Sequence, residues 1–170
     1  MRRLPGLIGS ALLLVVGVAE AQINPIWLRA DTAAKSVDFK LVAGLRDLNG
    51  GMNFNGFTRG GLLLTVPQGW TVVLQFKNQD QNLPHSVEVI ADTSRLPVGP
   101  VPPAFDRATT GKLEQGFSAG QGTDVRFLAG KVGSFLIFCA VPGHGGAGMW
   151  IRLSISATAA KPTLTTMPER

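Results

Sequence analysis

The chain has a single cysteine, and the run that contains it leaves few options for how the surrounding residues fold. From Phe138 to Trp150 the sequence reads Phe-Cys-Ala-Val-Pro-Gly-His-Gly-Gly-Ala-Gly-Met-Trp, which spaces Cys139, His144 and Met149 as Cys-x4-His-x4-Met. Apart from His144, nothing between Cys139 and Met149 is bulkier than valine or proline. Apolar β-forming runs flank the segment, Ser134 to Cys139 before it and Met149 to Ile155 after it. A strand, a short loop and a second strand thus carry a thiolate, an imidazole and a thioether, a soft donor set suited to copper in both oxidation states. The loop lacks a second imidazole. The only other histidine is His85, in Asn-Leu-Pro-His-Ser-Val-Glu-Val. Two histidines, one thiolate and a weak axial methionine are the ligands of a blue-copper electron-transfer centre.

An upstream Pro-His-Ser followed by Phe-Cys-x4-His-x4-Met resembles the cupredoxins, small β-barrel copper proteins. The likeness covers roughly residues 35 to 155 and is strongest to the sulfocyanin and rusticyanin group. Plastocyanins have a shorter Cys-to-His spacing and azurins a shorter His-to-Met one. Phe54-Asn55-Gly56 and the Pro-Gly-His-x3-Gly-Met-Trp run ending at Trp150 favour the sulfocyanin side. The resemblance implies a Greek-key β-sandwich or barrel and one type 1 copper ion held by His85, Cys139, His144 and Met149. It also implies a serine, Ser86, where many cupredoxins carry asparagine, with an altered hydrogen bond to the sulfur and a high reduction potential.

The ligands taken singly have ordinary explanations. A lone cysteine is most often a buried, inert thiol, His85 alone would be a hydrogen-bonded core histidine, and Met149 a core methionine, as Met52 and Met167 are read here. Their joint occurrence in one order and spacing outweighs those readings.

Arg2 and Arg3, an apolar run from Leu7 to Val18, and Ala19-Glu20-Ala21 have the form of a secretory signal peptide over residues 1–21. An uncleaved N-terminal membrane anchor is the competing reading; the run is short for a bilayer and broken by Pro5, Gly6 and Gly9. Arg2-Arg3 alone is little signal for twin-arginine export. The protein is therefore expected outside the cytoplasm, periplasmic or anchored there. With 45% hydrophobic and 16% charged residues, the chain can bury one core of its own. The formal charge of +5 fits an acidic partner or a membrane face, and no basic run interleaved with aromatics speaks for nucleic acid.

From about Ser36 the sequence reads as short antiparallel-type strands between turn signals, the pattern of an all-β sandwich or barrel. Val37 to Val42 alternates, Met52 to Gly56 is a second alternating fragment, and Gly61 to Val66 leads through Pro67-Gln68-Gly69 into Trp70 to Phe76 as a hairpin. His85 opens a strand over Ser86 to Ile90, and Thr123 to Leu128 is another. Residues 91–122, with Pro97, Pro100, Pro102 and Pro103, form a long Pro/Gly-rich loop, expected as an ordered flap that packs Phe105 or Phe117 near the metal. The cupredoxin domain is bounded at 22–156, and 157–170 is expected as a flexible tail.

Four protein ligands leave copper no open position, which points to an electron carrier rather than an enzyme. A nitrite-reductase-type site needs more histidines and a binuclear oxidase-type centre needs two cysteines. Copper carriers use Met-rich or His-rich tracts, which are absent. A cysteine hydrolase built on Cys139 and a histidine lacks an acidic orienter and leaves Met149 unexplained. Pro142, Gly143, Gly145, Gly146, Ala147 and Gly148 leave an edge of His144 open, which in the family is the docking and electron-exit face for redox proteins such as a c-type cytochrome or terminal oxidase. Lys112, Arg107 and Arg126 are candidate docking charges, though each is more simply a solvated charge. A monomer is expected.

Overall fold

The computed structural model describes residues 22–170. The signal-peptide or anchor reading falls on residues outside that range. Two sheets face each other across one core. The first has the order β1 (Leu28–Asp31), β2 (Ser36–Ala43), β4 (Thr71–Asn78) and β6 (Gly122–Leu128). The second runs β5 (Glu88–Ala91), β7 (Gly133–Phe138), β8 (Trp150–Ser156), β3 (Leu62–Pro67) and β9 (Thr163–Thr166). This is the all-β sandwich expected of the sequence. Among the described residues no helix is long and apolar enough to cross a membrane.

Strand alternation builds the core. Val37, Phe39, Leu41 and Ala43 of β2 are fully buried, and Leu62, Leu64 and Val66 of β3 meet them from the other sheet. β7 departs from that alternation because both of its faces are covered. Phe135, Ile137 and Cys139 belong to the central core, while Leu136 and Phe138 join Ile90, Ala140 and Trp150 in a second cluster on the outer face. Leu96, Val101 and Leu113 of the long loop cover that cluster. The unbroken apolar run Phe135 to Phe138 thus reflects a strand buried on two sides.

The 92–121 segment is an ordered flap. It lies along β5 through Ala104 N–H to Val89 O, Val89 N–H to Ala108 O and Thr110 N–H to Val87 O. Of the two aromatics, Phe117 is the one beside His85: each backbone N–H donates to the other's carbonyl, at 3.2 and 2.8 Å. Phe105 enters the core instead, stacked 5.2 Å from Phe127.

Four expectations need correction. The ladders are not all antiparallel, since β2 pairs with β4 and β3 with β8 in parallel. Pro67-Gln68-Gly69 joins strands of different sheets rather than a hairpin. Gln68 N–H is taken by Ser156 O at the end of β8, and Gly69 N–H by Ala129 O just beyond β6, so the turn is tied to both layers. The Met52 to Gly56 alternation does not mark a strand, because its polar members point inward. Asn53 and Asn55 are buried and serve the backbone: Asn55 accepts from Val42 N–H and donates to Lys40 O, and Asn53 accepts from Leu45 and Gly56 N–H. The flexible tail is the fourth. Residues 163–166 form edge strand β9 on β3, with Leu164 packed against the core between exposed threonines. Arg170 then stacks on Trp150 at 4.9 Å and pairs with Asp92.

Candidate metal centre

Three elements converge at one end of the sandwich. Cys139 follows the last residue of β7, Met149 precedes the first residue of β8, and the two are tied by Cys139 N–H to Met149 O at 3.0 Å. Both residues are fully buried. The connecting loop folds into consecutive turns, with His144 N–H to Val141 O and Met149 N–H to His144 O. His85 arrives from the segment before β5, fully buried and fixed by its bridge to Phe117. His144 is half-buried, so an imidazole edge reaches the surface as expected.

Glycine at 145 is a packing requirement. A Cβ there would lie 1.8 Å from the Phe138 ring. Two residues that sequence reasoning missed brace the same loop from outside. Asn49 Nδ2 donates to Ala147 O at 3.0 Å, and Arg59 N–H donates to Gly148 O at 2.8 Å.

The donor atoms form a triangle. His85 Nδ1 is 4.0 Å from Cys139 Sγ, His144 Nδ1 is 3.6 Å from the same sulfur, and the two nitrogens are 3.3 Å apart. The centre of such a triangle lies about 2.1 Å from each corner, in the range of first-row metal bonds to imidazole and close to that for thiolate. Two imidazole nitrogens and a thiolate in a trigonal array, with a buried methionine beside them, match the preferences of type 1 copper. The residues fit the metal.

The electrostatics agree. Burial pushes the Cys139 thiol up to about 11, opposed by the backbone N–H groups of Ser86 and Val141 and the Ser86 hydroxyl. The hydroxyl's single proton goes to Leu113 O of the flap at 2.7 Å and is not available to the sulfur. Burial holds His85 below its ordinary value, against the pull of Asp80. His144 is lowered by burial and then by His85. Both imidazoles are therefore neutral near pH 7, as metal ligands must be.

Sequence reading also missed Asp80, whose Oδ2 lies 2.9 Å from His85 Nε2. It stands in Asn-Gln-Asp-Gln-Asn, which reads as a plain turn; the one available signal was an acid five residues before a candidate ligand. Of the basic candidates, Lys112 lies over the Phe117 ring at 5.8 Å, Arg107 pairs with its exposed neighbour Asp106, and Arg126 is exposed on β6.

The model of the Sulfocyanin (SoxE) domain matches residues 24–166. The chain belongs to the sulfocyanin family. Sulfocyanin of Sulfolobus acidocaldarius is 29% identical over 117 residues, covering 65% of this chain and 58% of that protein. This sulfocyanin-family chain thus spans less than two thirds of that relative's length. A crystal structure of rusticyanin variants superposes with a TM-score of 0.56 at 22% identity, covering 72% of this chain and 78% of the other. Reduced auracyanin from Roseiflexus castenholzii gives 0.50 at 21%, with 70% and 96% coverage. These likenesses establish the cupredoxin fold, and family and donor triangle together make one type 1 copper ion the cofactor.

Proposed function

We propose that the protein is an exported one-electron carrier whose copper is held by His85, Cys139, His144 and Met149. The observation that carries this is the donor triangle of two neutral imidazoles and a fully buried thiol, with the buried Met149 joined to Cys139 by a backbone hydrogen bond. When bound, copper supplies a one-electron couple.

The chain's own residues supply rigidity and a dry site. Cys139 and Met149 are tied to each other by one backbone hydrogen bond just beyond the ends of β7 and β8, and His85 is held by Phe117 and Asp80. Ligands held in place move little between oxidation states, and an apolar surrounding disfavours the more highly charged cupric form. With four protein donors, a carrier is favoured over an enzyme. The half-buried His144 edge, among small residues of the 143–148 loop, is the proposed docking face for a c-type cytochrome or terminal oxidase. Residues 1–21 are proposed to direct export, either cleaved or kept as an anchor; the N-terminal residue of protein recovered outside the cytoplasm distinguishes the two.

The test is the visible and EPR spectrum of the mature chain after Cu(II) addition. An intense thiolate-to-copper band in the red, bleached and restored by one electron, is the expected result. A colourless complex overturns the electron-carrier reading.

A further inference from the structure

Asp80 lies outside the ligand motif, yet its hydrogen bonds place it directly behind the candidate ligand His85. Asp80 is 7% exposed, and both oxygens of its carboxylate face nitrogen atoms of the protein. Oδ1 accepts from Asn82 N–H at 2.8 Å and Leu83 N–H at 3.1 Å, while Oδ2 faces His85 Nε2 at 2.9 Å. The turn that presents it is fixed by Asn78, which accepts from Asp80 N–H and donates to Leu83 O and Phe117 O. Behind the carboxylate lies Gly51, where a Cβ would fall 1.9 Å from Oδ2. The carboxylate therefore has one position, and its outer oxygen has one direction to face.

An ionised carboxylate accepts and never donates. Opposite Oδ2 the imidazole must carry its proton on Nε2, which leaves the Nδ1 lone pair on the side of Cys139 and His144. We propose that Asp80 is the positioning residue that commits His85 to the Nδ1-ligating tautomer, and that only a carboxylate serves at this place. Asparagine is nearly the same size, but the two backbone N–H groups at Oδ1 would require its oxygen there. Its amide N–H2 would then face Nε2, draw the proton to Nδ1 and block the donor position. This role rests on the copper reading for its consequence, though the tautomer itself is a property of the metal-free chain.

The experiment has two readouts on the full mature chain, wild type, Asp80→Asn and Asp80→Ala. The first is the 15N NMR signature of the His85 ring without metal. The wild type is expected as the Nε2–H form, Asp80→Asn as the Nδ1–H form, and Asp80→Ala as a mixture. The second is Cu(II) affinity, expected to fall about 10–100-fold in Asp80→Asn, the usual cost of losing a partner behind a ligating histidine. It should fall less in Asp80→Ala, where water replaces the carboxylate. A wild-type ring protonated on Nδ1 overturns the proposal, as does an Asp80→Asn ring still protonated on Nε2 with unchanged affinity. If the variants do not fold, the wild-type ring decides. If the wild type shows the Nε2–H form but forms no blue complex, the copper reading fails while the tautomer assignment stands.

Discussion

At Cys139 the fold imposes a cost that the metal removes. The thiol is fully buried, so burial favours its protonated form. Cys139→Ser keeps the size and the backbone hydrogen bond to Met149 but removes the soft donor. The variant is expected to fold, with far-UV circular dichroism like the wild type, and to show no blue band with Cu(II). An unchanged copper spectrum would remove the thiolate from the site. The four candidate ligands were legible in the sequence because donor chemistry and spacing are local properties. Asp80 was not, because its meaning depends on a contact with His85 that a turn-like string of Asn, Gln and Asp does not announce.

At the scale of elements, the flap and β5 share a buried acid. Glu88 is fully buried, with Oε2 accepting from Val101 N–H at 3.2 Å and Oε1 without a protein partner. Burial raises its carboxyl above the ordinary glutamate range, against the smaller pull of Val101 N–H. The folded state therefore holds this proton more tightly than the unfolded chain. That contribution is fully present below the ordinary glutamate value and is lost as pH rises through the raised one. Glu88→Gln does not titrate, so its stability relative to wild type is expected to increase with pH across that interval. Denaturant unfolding of the metal-free chains at several pH values measures the difference; a pH-independent difference would mean that Glu88 keeps its ordinary titration. Strands β2, β4, β6, β7 and β8 were readable from alternation and apolar runs. β9 was missed because Thr163-Leu164-Thr165-Thr166 has one apolar residue, and its pairing partner β3 lies about a hundred residues earlier in sequence.

For the whole molecule, the copper site joins the segment before β5 to the β7–β8 loop, at the end of a sandwich whose layers are also tied by the Pro67–Gly69 turn. A metal that binds the assembled triangle and not the unfolded chain stabilises the whole fold by mass action. At copper a thousandfold above its dissociation constant the gain is about 4 kcal/mol, on the order of 10 °C in Tm for a chain this long. Calorimetry with copper and with excess chelator should show that rise and its reversal, with none in Cys139→Ser. Equal Tm values for the wild type in both conditions would mean that copper binding is weak or tolerates the unfolded chain.

The sequence by itself determined the β class and offered the candidate donors, three of them on one loop, since strand periodicity and side-chain chemistry are written in the residues themselves. Tertiary structure alone decided which strands run parallel, that the Pro67–Gly69 turn changes sheets, and that Asn53 and Asn55 face inward. It also decided that the C-terminal residues close a sheet edge and that Asp80 stands behind His85. Each depends on a partner far along the chain or on a backbone group left open by another element, and a local pattern holds no record of either.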